Sequence, residues 1–198
     1  RDFVVPSVCP VCSGRVVKEK EQDVAYRCIN PSCSAQLERG LLHFASRPAM
    51  DIEGLGEAVV AQLIALKLVK NVAGVFSLKP ADLARLEAFK EKKISNLLSG
   101  IENSKSADLS RVIFSLGIRH VGEKASQVLA ARFKTMDSLS NASFEDMIGI
   151  DEIGPVIAQS VHDFFSQPQT KELVRDLKKH GVNLAAIQTE IKTSKLTG

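Results

Sequence analysis

The chain of 198 residues has no tryptophan, a single tyrosine (Tyr26) and no cysteine after residue 33. Single-stranded nucleic acid is usually held on several exposed aromatic faces. Here the nine phenylalanines fall mostly at apolar-periodic positions and read as core, so that mode is disfavoured. No run of about 18 apolar residues exists, which excludes a spanning helix. The opening Arg1-Asp2-Phe3-Val4-Val5-Pro6 has neither an initiating Met nor the apolar stretch of a secretory leader, the expectation for a piece cut from a longer protein. Catalytic signatures are missing too. No Walker string and no His-Glu-x-x-His is present, and His43, His120, His162 and His180 are scattered. Gly54-Leu55-Gly56 is no dinucleotide fingerprint, because Val59 stands where a third glycine belongs. No catalytic residue is expected in this chain.

What is present is concentrated. Cys9, Cys12, Cys28 and Cys33 form a C-x2-C-x15-C-x4-C pattern. Tetrahedral zinc takes four soft ligands at about 2.3 Å, and two close pairs supply them with little chain ordering. Two disulfides would suit a secreted chain instead. Four thiolates close the coordination shell, so the zinc is read as structural, not catalytic. Gly14 allows a tight turn whose amides face the sulfurs. Val16-Val17 and Val24-Ala25-Tyr26 read as two short strands around the polar stretch Lys18 to Asp23. His43 lies in an apolar helical stretch and is expected to be packed, not a ligand.

Beyond residue 50 the chain repeats. Gly56, Lys90, Gly122 and Gly154 are separated by 34, 32 and 32 residues. Four residues before each lies Ile52, Leu86, Ile118 or Ile150. One residue before lies Leu55, Phe89, Val121 or Ile153. Seven residues after lies Leu63, Leu97, Leu129 or Val161. All twelve slots are apolar in a chain that is 44% apolar, which marks one supersecondary unit used four times. Each unit reads as helix, tight turn, helix. The second helices are expected at Glu57 to Leu68, Lys92 to Asn103, Glu123 to Phe133 and Pro155 to Phe165. First helices are expected at Pro80 to Ala88, Asp108 to Leu116 and Ser143 to Gly149, with Ser143-x-x-Asp146 as a variant capping box. A final helix spans about Lys171 to His180, stopped by Gly181. The fold class is therefore mostly α: a small four-cysteine zinc module with a β-hairpin, then four helix-hairpin-helix units.

The turns carry the chemistry. In Gly54-Leu55-Gly56 the leucine plugs the core and the glycines leave the backbone bare. A phosphate can then reach main-chain amides at the positive end of the second helix. This is duplex recognition through the backbone, without sequence preference. The third turn, His120-Val121-Gly122, has Arg119 before it and Lys124 after it. The fourth, Glu152-Ile153-Gly154, carries an acid that would repel phosphate unless turned away. The second, Ala88-Phe89-Lys90, keeps neither glycine and reads as structural, although Lys90, Lys92 and Lys93 could reach a phosphate. A Gly-x-Gly corner by itself is often only a corner; four in register beside a zinc module favour binding. The net charge of +3 permits nucleic-acid binding without arguing for it.

Taken together, the cysteine module, the run His43-Phe44-Ala45-Ser46-Arg47-Pro48-Ala49-Met50-Asp51-Ile52-Glu53-Gly54-Leu55-Gly56, and the later strings Leu116-Gly117-Ile118-Arg119-His120-Val121-Gly122-Glu123 and Ile153-Gly154-Pro155-Val156-Ile157-Ala158 resemble the bacterial NAD-dependent DNA ligases, over roughly Cys9 to Leu184. The resemblance implies an enzyme that seals nicks in duplex DNA during replication and repair, with NAD and magnesium used by the parent protein. It implies that residues 1–8 end a preceding OB-fold, 9–33 are the zinc finger, 34–184 the helix-hairpin-helix domain, and 185–198 a linker toward a BRCT domain. It places the protein in the bacterial cytoplasm, at the nucleoid, away from membranes, with nicked duplex DNA and the other ligase domains as partners. No Lys-x-Asp-Gly, the string that holds the family's nucleophile, occurs here, so this segment is expected to be inactive alone and to act as a clamp. Departures from the family pattern are Ala88, Lys90 and Ile94. A DNA-binding tail of an excision nuclease or topoisomerase, and a protein-interaction adaptor, stand as alternatives.

Overall fold

The computed structural model describes residues 6–18, 26–30 and 33–187. A short antiparallel hairpin pairs β1 (Val16–Lys18) with β2 (Tyr26–Cys28). The register sets Val16 opposite Cys28 and Lys18 opposite Tyr26. The second strand contains Tyr26 of the expected Val24-Ala25-Tyr26 and continues to Cys28. Val24 and Ala25 fall outside the described residues. The ladder sets Cys28 opposite Val16, near the first cysteine pair.

Ten α-helices follow among the described residues. They are α1 (Ser34–Ala45), α2 (Glu57–Ala65), α3 (Pro80–Leu83), α4 (Glu91–Ser104), α5 (Leu109–Ser115), α6 (Glu123–Phe133), α7 (Met136–Ser140), α8 (Phe144–Ile148), α9 (Pro155–Ser166) and α10 (Pro168–Lys179), with a 3-10 stretch at Val72–Ser77. The long second helices of the four units are α2, α4, α6 and α9, close to their expected spans. The first helices are shorter than expected. In the second unit α3 ends at Leu83 and hydrogen-bonded turns carry the chain to Leu86. At α8 the expected box forms: Ser143 Oγ accepts from the Asp146 amide, and Asp146 accepts from the Ser143 amide. The α10 helix starts earlier than expected, at Pro168, where a missing N–H costs nothing. It ends as anticipated, with Gly181 at φ +79°. The Gly181 amide bonds to the Lys178 carbonyl and the Val182 amide to that of Leu177, a Schellman closure.

One continuous core runs through the helical region. Of the twelve repeated apolar positions, ten are buried; Phe89 and Ile150 are half-buried at its edge. The chain then returns on itself. The Asn183 amide bonds to the Lys105 carbonyl, and the Met136 amide to that of Leu184. Ala185 bridges Thr135, the Ala186 amide reaches the Lys134 carbonyl and the Ile187 amide reaches Asp108. Residues 185–187, expected to begin a linker, are thus bound to the domain. Residues 188–198 and 1–5 lie outside the described residues.

Candidate metal centre and nucleic-acid interface

The four sulfurs of Cys9, Cys12, Cys28 and Cys33 lie within 4.8 Å of one another, and none is in a disulfide. Cys9 and Cys33 sulfurs are 3.9 Å apart, Cys12 and Cys28 sulfurs 3.4 Å. Ligands about 2.3 Å from a tetrahedral zinc sit at comparable mutual distances. Local backbone makes this possible. The Cys9 amide bonds to the Gly14 carbonyl at 2.8 Å, and the Ser13 amide to that of Cys9 at 2.8 Å, which curls the first knuckle. A Cβ on Gly14 would stand 2.8 Å from Asn30 Cβ and 3.2 Å from Cys12 Sγ, so the knuckle needs glycine for close approach. Cys33 caps α1 and carries the metal site directly into the helical domain.

The thiols are in electrostatic conflict. Burial pushes both Cys12 and Cys28 up. At Cys12, hydrogen bonds from the Gly14 amide, the Asn30 side chain and the neighbouring sulfurs prevail and bring it down to about 7. At Cys28, burial and the Cys12 and Cys9 sulfurs prevail over the Asn30 amide and push it up to about 12. Four sulfurs this close cannot all ionise without a cation among them. A divalent ion removes that conflict, and the donor set of four thiolates fits zinc with no open position. The cysteines are arranged to bind one zinc ion.

The four corners share one backbone form. In each, an amide closes a turn onto the carbonyl three residues back: Leu55 to Ile52 (3.3 Å), Phe89 to Leu86 (3.4 Å), Val121 to Ile118 (3.1 Å), Ile153 to Ile150 (3.0 Å). The residue before the plug takes positive φ every time: Gly54 +88°, Ala88 +57°, His120 +59°, Glu152 +71°. Only the first of these is glycine, so three corners hold a left-handed residue at a steric cost. Next comes an extended N-cap: Gly56, Lys90, Gly122 and Gly154, with φ between −76° and −95°. No side chain caps any of the four helices. Leu55, Val121 and Ile153 are buried plugs, while Gly54, Gly56, Gly122, Gly154, His120, Lys124, Lys92 and Lys93 are exposed and Arg119 is half-buried. The second corner, which its residues suggested was merely structural, has the same backbone as the others.

Glycine at the N-caps has no internal explanation. Gly56, Gly122 and Gly154 have unremarkable φ, and an added Cβ at any of them would meet nothing within 4 Å. The fold does not demand glycine there. The bare space lies outside the chain, at the amide end of a helix. In the second unit Ile94 stands where Val60, Ser126 and Ala158 are fully buried, and it remains half-buried.

The corners are drawn together by contacts the sequence did not reveal. Lys124 of the third unit forms a 2.7 Å ion pair with Glu152 of the fourth. The first corner lies against α4: the Glu53 backbone comes 3.4 Å from a Cβ built at Gly100, and Leu97 lies 3.8 Å from one at Gly54. Arg111 on α5 donates to the carbonyls of Ala49 and Arg47 at 2.7 Å each, tying the third unit to the approach of the first corner. His43 is packed, as expected. Its Nε2 donates to the Phe114 carbonyl at 2.8 Å, and its ring meets Phe114 edge-on at 4.8 Å. Gly–Leu–Gly spacing could find the corners. Nothing local could find the Lys124–Glu152 pair, because its partners belong to different units.

Comparison with known proteins places these features. The NAD-dependent DNA ligase C4 zinc finger domain matches residues 8–35, and the helix-hairpin-helix motif matches residues 111–174. The DNA ligase of Lactobacillus acidophilus is 48% identical over 182 residues, which are 92% of this chain and 27% of that protein. That of Endomicrobium trichonymphae is 43% identical over 196 residues, 99% of this chain and 29% of that protein. That of Thermoanaerobacter pseudethanolicus is 45% identical over 190 residues, 96% and 28% respectively.

The chain belongs to the NAD-dependent DNA ligase family.

It spans less than a third of the length of these DNA ligases. Within the family it is the part that carries the C4 zinc finger and the helix-hairpin-helix motif. No helix among the described residues is long and apolar enough to cross a membrane.

Proposed function

We propose that this chain is the non-catalytic clamp with which a DNA ligase grips duplex DNA by its sugar–phosphate backbone. The carrying observation is the set of N-cap glycines, Gly56, Gly122 and Gly154, bare for no reason internal to the fold. An approaching phosphate oxygen supplies the reason, since free amides and the positive helix end favour an anion there. Gly54, Leu55 and Gly56 build the first contact. Arg119, His120, Gly122 and Lys124 build the third, Gly154 the fourth, and Lys92 and Lys93 add cations beside the second. Contacts of this kind ignore base identity, which suits an enzyme that must close any break.

In this reading residues 9–33 are the zinc finger, 34–187 the gripping domain, and 1–8 and 188–198 join it to an OB-fold and a BRCT domain. The parent enzyme seals nicks in replication and repair within the bacterial cytoplasm, with NAD and magnesium bound outside this chain. The chain holds and aligns the nicked duplex from the side away from the chemistry.

A salt titration tests the reading. Duplex affinity should fall linearly in log–log form with salt, with a slope set by the phosphates neutralised. Binding that is absent, or flat between low and moderate salt, defeats it and favours a protein-interaction adaptor.

A further inference from the structure

Two residues of the corner region sit where local physics disfavours them. Lys124 is the second residue of α6, a cation at the positive end of a helix. Glu152 is a long side chain at φ +71°, a conformation that favours glycine. The two meet across two units, in the 2.7 Å pair. Both side chains are substantially exposed, 79% for Lys124 and 45% for Glu152. An exposed pair of this kind is worth little by itself and is readily exchanged.

We propose that Glu152 is a built-in phosphate surrogate: its carboxylate occupies the Lys124 ammonium until a DNA phosphate displaces it. The inference rests on the reading of the corners as phosphate contacts and adds a regulatory residue to them. The third and fourth corners then do not bind independently. Engagement of a phosphate by Lys124 releases Glu152, and that exchange lowers the grip of the clamp, so that the duplex is let go more easily. Glu152 is a positioning residue; it acts on DNA only through Lys124.

The test is a double-substitution cycle on the whole chain, read by fluorescence anisotropy with a labelled, nicked duplex of mixed sequence at low salt. Glu152→Gln keeps the backbone conformation and removes the charge. It should tighten binding by about two- to fivefold, and the gain should shrink as salt rises. Lys124→Gln should weaken binding, and the double variant should bind like Lys124→Gln alone. Glu152→Gly, which also relieves the positive φ, should tighten binding as Gln does. Unaltered melting temperatures keep the comparison about binding.

An equal gain from Glu152→Gln in the Lys124→Gln background overturns the proposal, because Glu152 would then repel phosphate directly. No gain, a loss, or a gain with Gly but not Gln overturns it as well. If the unsubstituted chain shows no salt-sensitive duplex binding, the clamp reading itself falls. With that binding present, the outcomes above strike the exchange alone.

Discussion

The zinc module and the helical domain hold themselves together in different ways. In residues 6–18, 26–30 and 33 the described buried hydrophobics are Cys9 and Cys33, and Val8, Val11 and Tyr26 are exposed. Little apolar burial is available, so four sulfur–metal bonds must order the chain. In residues 34–187 a continuous core threads all four units. The contrast teaches that metal ligation substitutes for a core where a segment is too short to build one.

Removing the metal should separate the two regions most sharply. Cys28→Ser, or a strong chelator, should release zinc and disorder the N-terminal module, while helical circular dichroism persists. Structural zinc in finger peptides contributes on the order of 10 kcal/mol to folding, so partial retention of order is not expected. A metal assay still reading one zinc per chain would count against the four-ligand site.

Next in size is the core. Leu129→Ala removes a fully buried side chain at a repeated position. It should cost about 2–5 kcal/mol in denaturant unfolding of the helical domain. Its zinc content should not change, and a coupled loss of zinc would break the division between the two regions.

The N-cap glycines test the surface of the helical domain. Gly54 is a poor probe because its φ of +88° makes any substitution strained. Gly56→Leu with Gly122→Leu is cleaner, since both sites are open and at ordinary φ. Melting should shift little. Duplex affinity should fall by about tenfold for each corner blocked, the scale of a charge-assisted hydrogen bond. Undiminished binding by the folded double variant would refute the assignment of these corners to phosphate.

A smaller effect lies at Asp108, which accepts from the Ser110 amide at 2.8 Å and from the Ile187 amide at 2.7 Å. Burial raises its carboxyl, but the Ser110 hydroxyl and the Ile187, Ser110 and Leu109 amides prevail and lower it. A depressed folded value means that its stabilisation is complete above the ordinary aspartate value, near 3.9, and drains as pH falls through the lowered one. Asp108→Ala should therefore cost about 1 kcal/mol at neutral pH and reduce the acid sensitivity of unfolding. An unchanged acid limb would remove Asp108 from the account. Smallest of all, Ala88→Gly should stabilise slightly or not at all. The relief of φ +57° is offset by the larger entropy of glycine in the unfolded chain.

Much of this is legible from local patterns. Cysteine spacing announces the metal site because tetrahedral ligation limits the loops between ligands. The apolar period announces the four units because each must bury the same three positions. Helix ends at Ser143 and Gly181 are readable because caps are local hydrogen-bond chemistry. Other features escape. The α7 helix, the 3-10 stretch and the early start of α10 are short or polar, and tertiary packing overrides weak propensity there. Propensity does not show that the second strand reaches Cys28, because cross-strand register decides where Cys28 falls. Residue type does not announce the second turn, because Ala88 and Lys90 lack the glycine signal, yet the chain takes the same backbone form there.

From the order of its residues alone, this protein determined its sulfur ligands, its four plugged corners and its family, for each depends on spacing within a few dozen residues. Only the tertiary structure decided which corners meet, that Lys124 faces Glu152, that Arg111 holds the approach to the first corner, and that the chain end folds back to Asp108. Those outcomes depend on how helices pack across the shared core, and packing is a property of the whole chain at once.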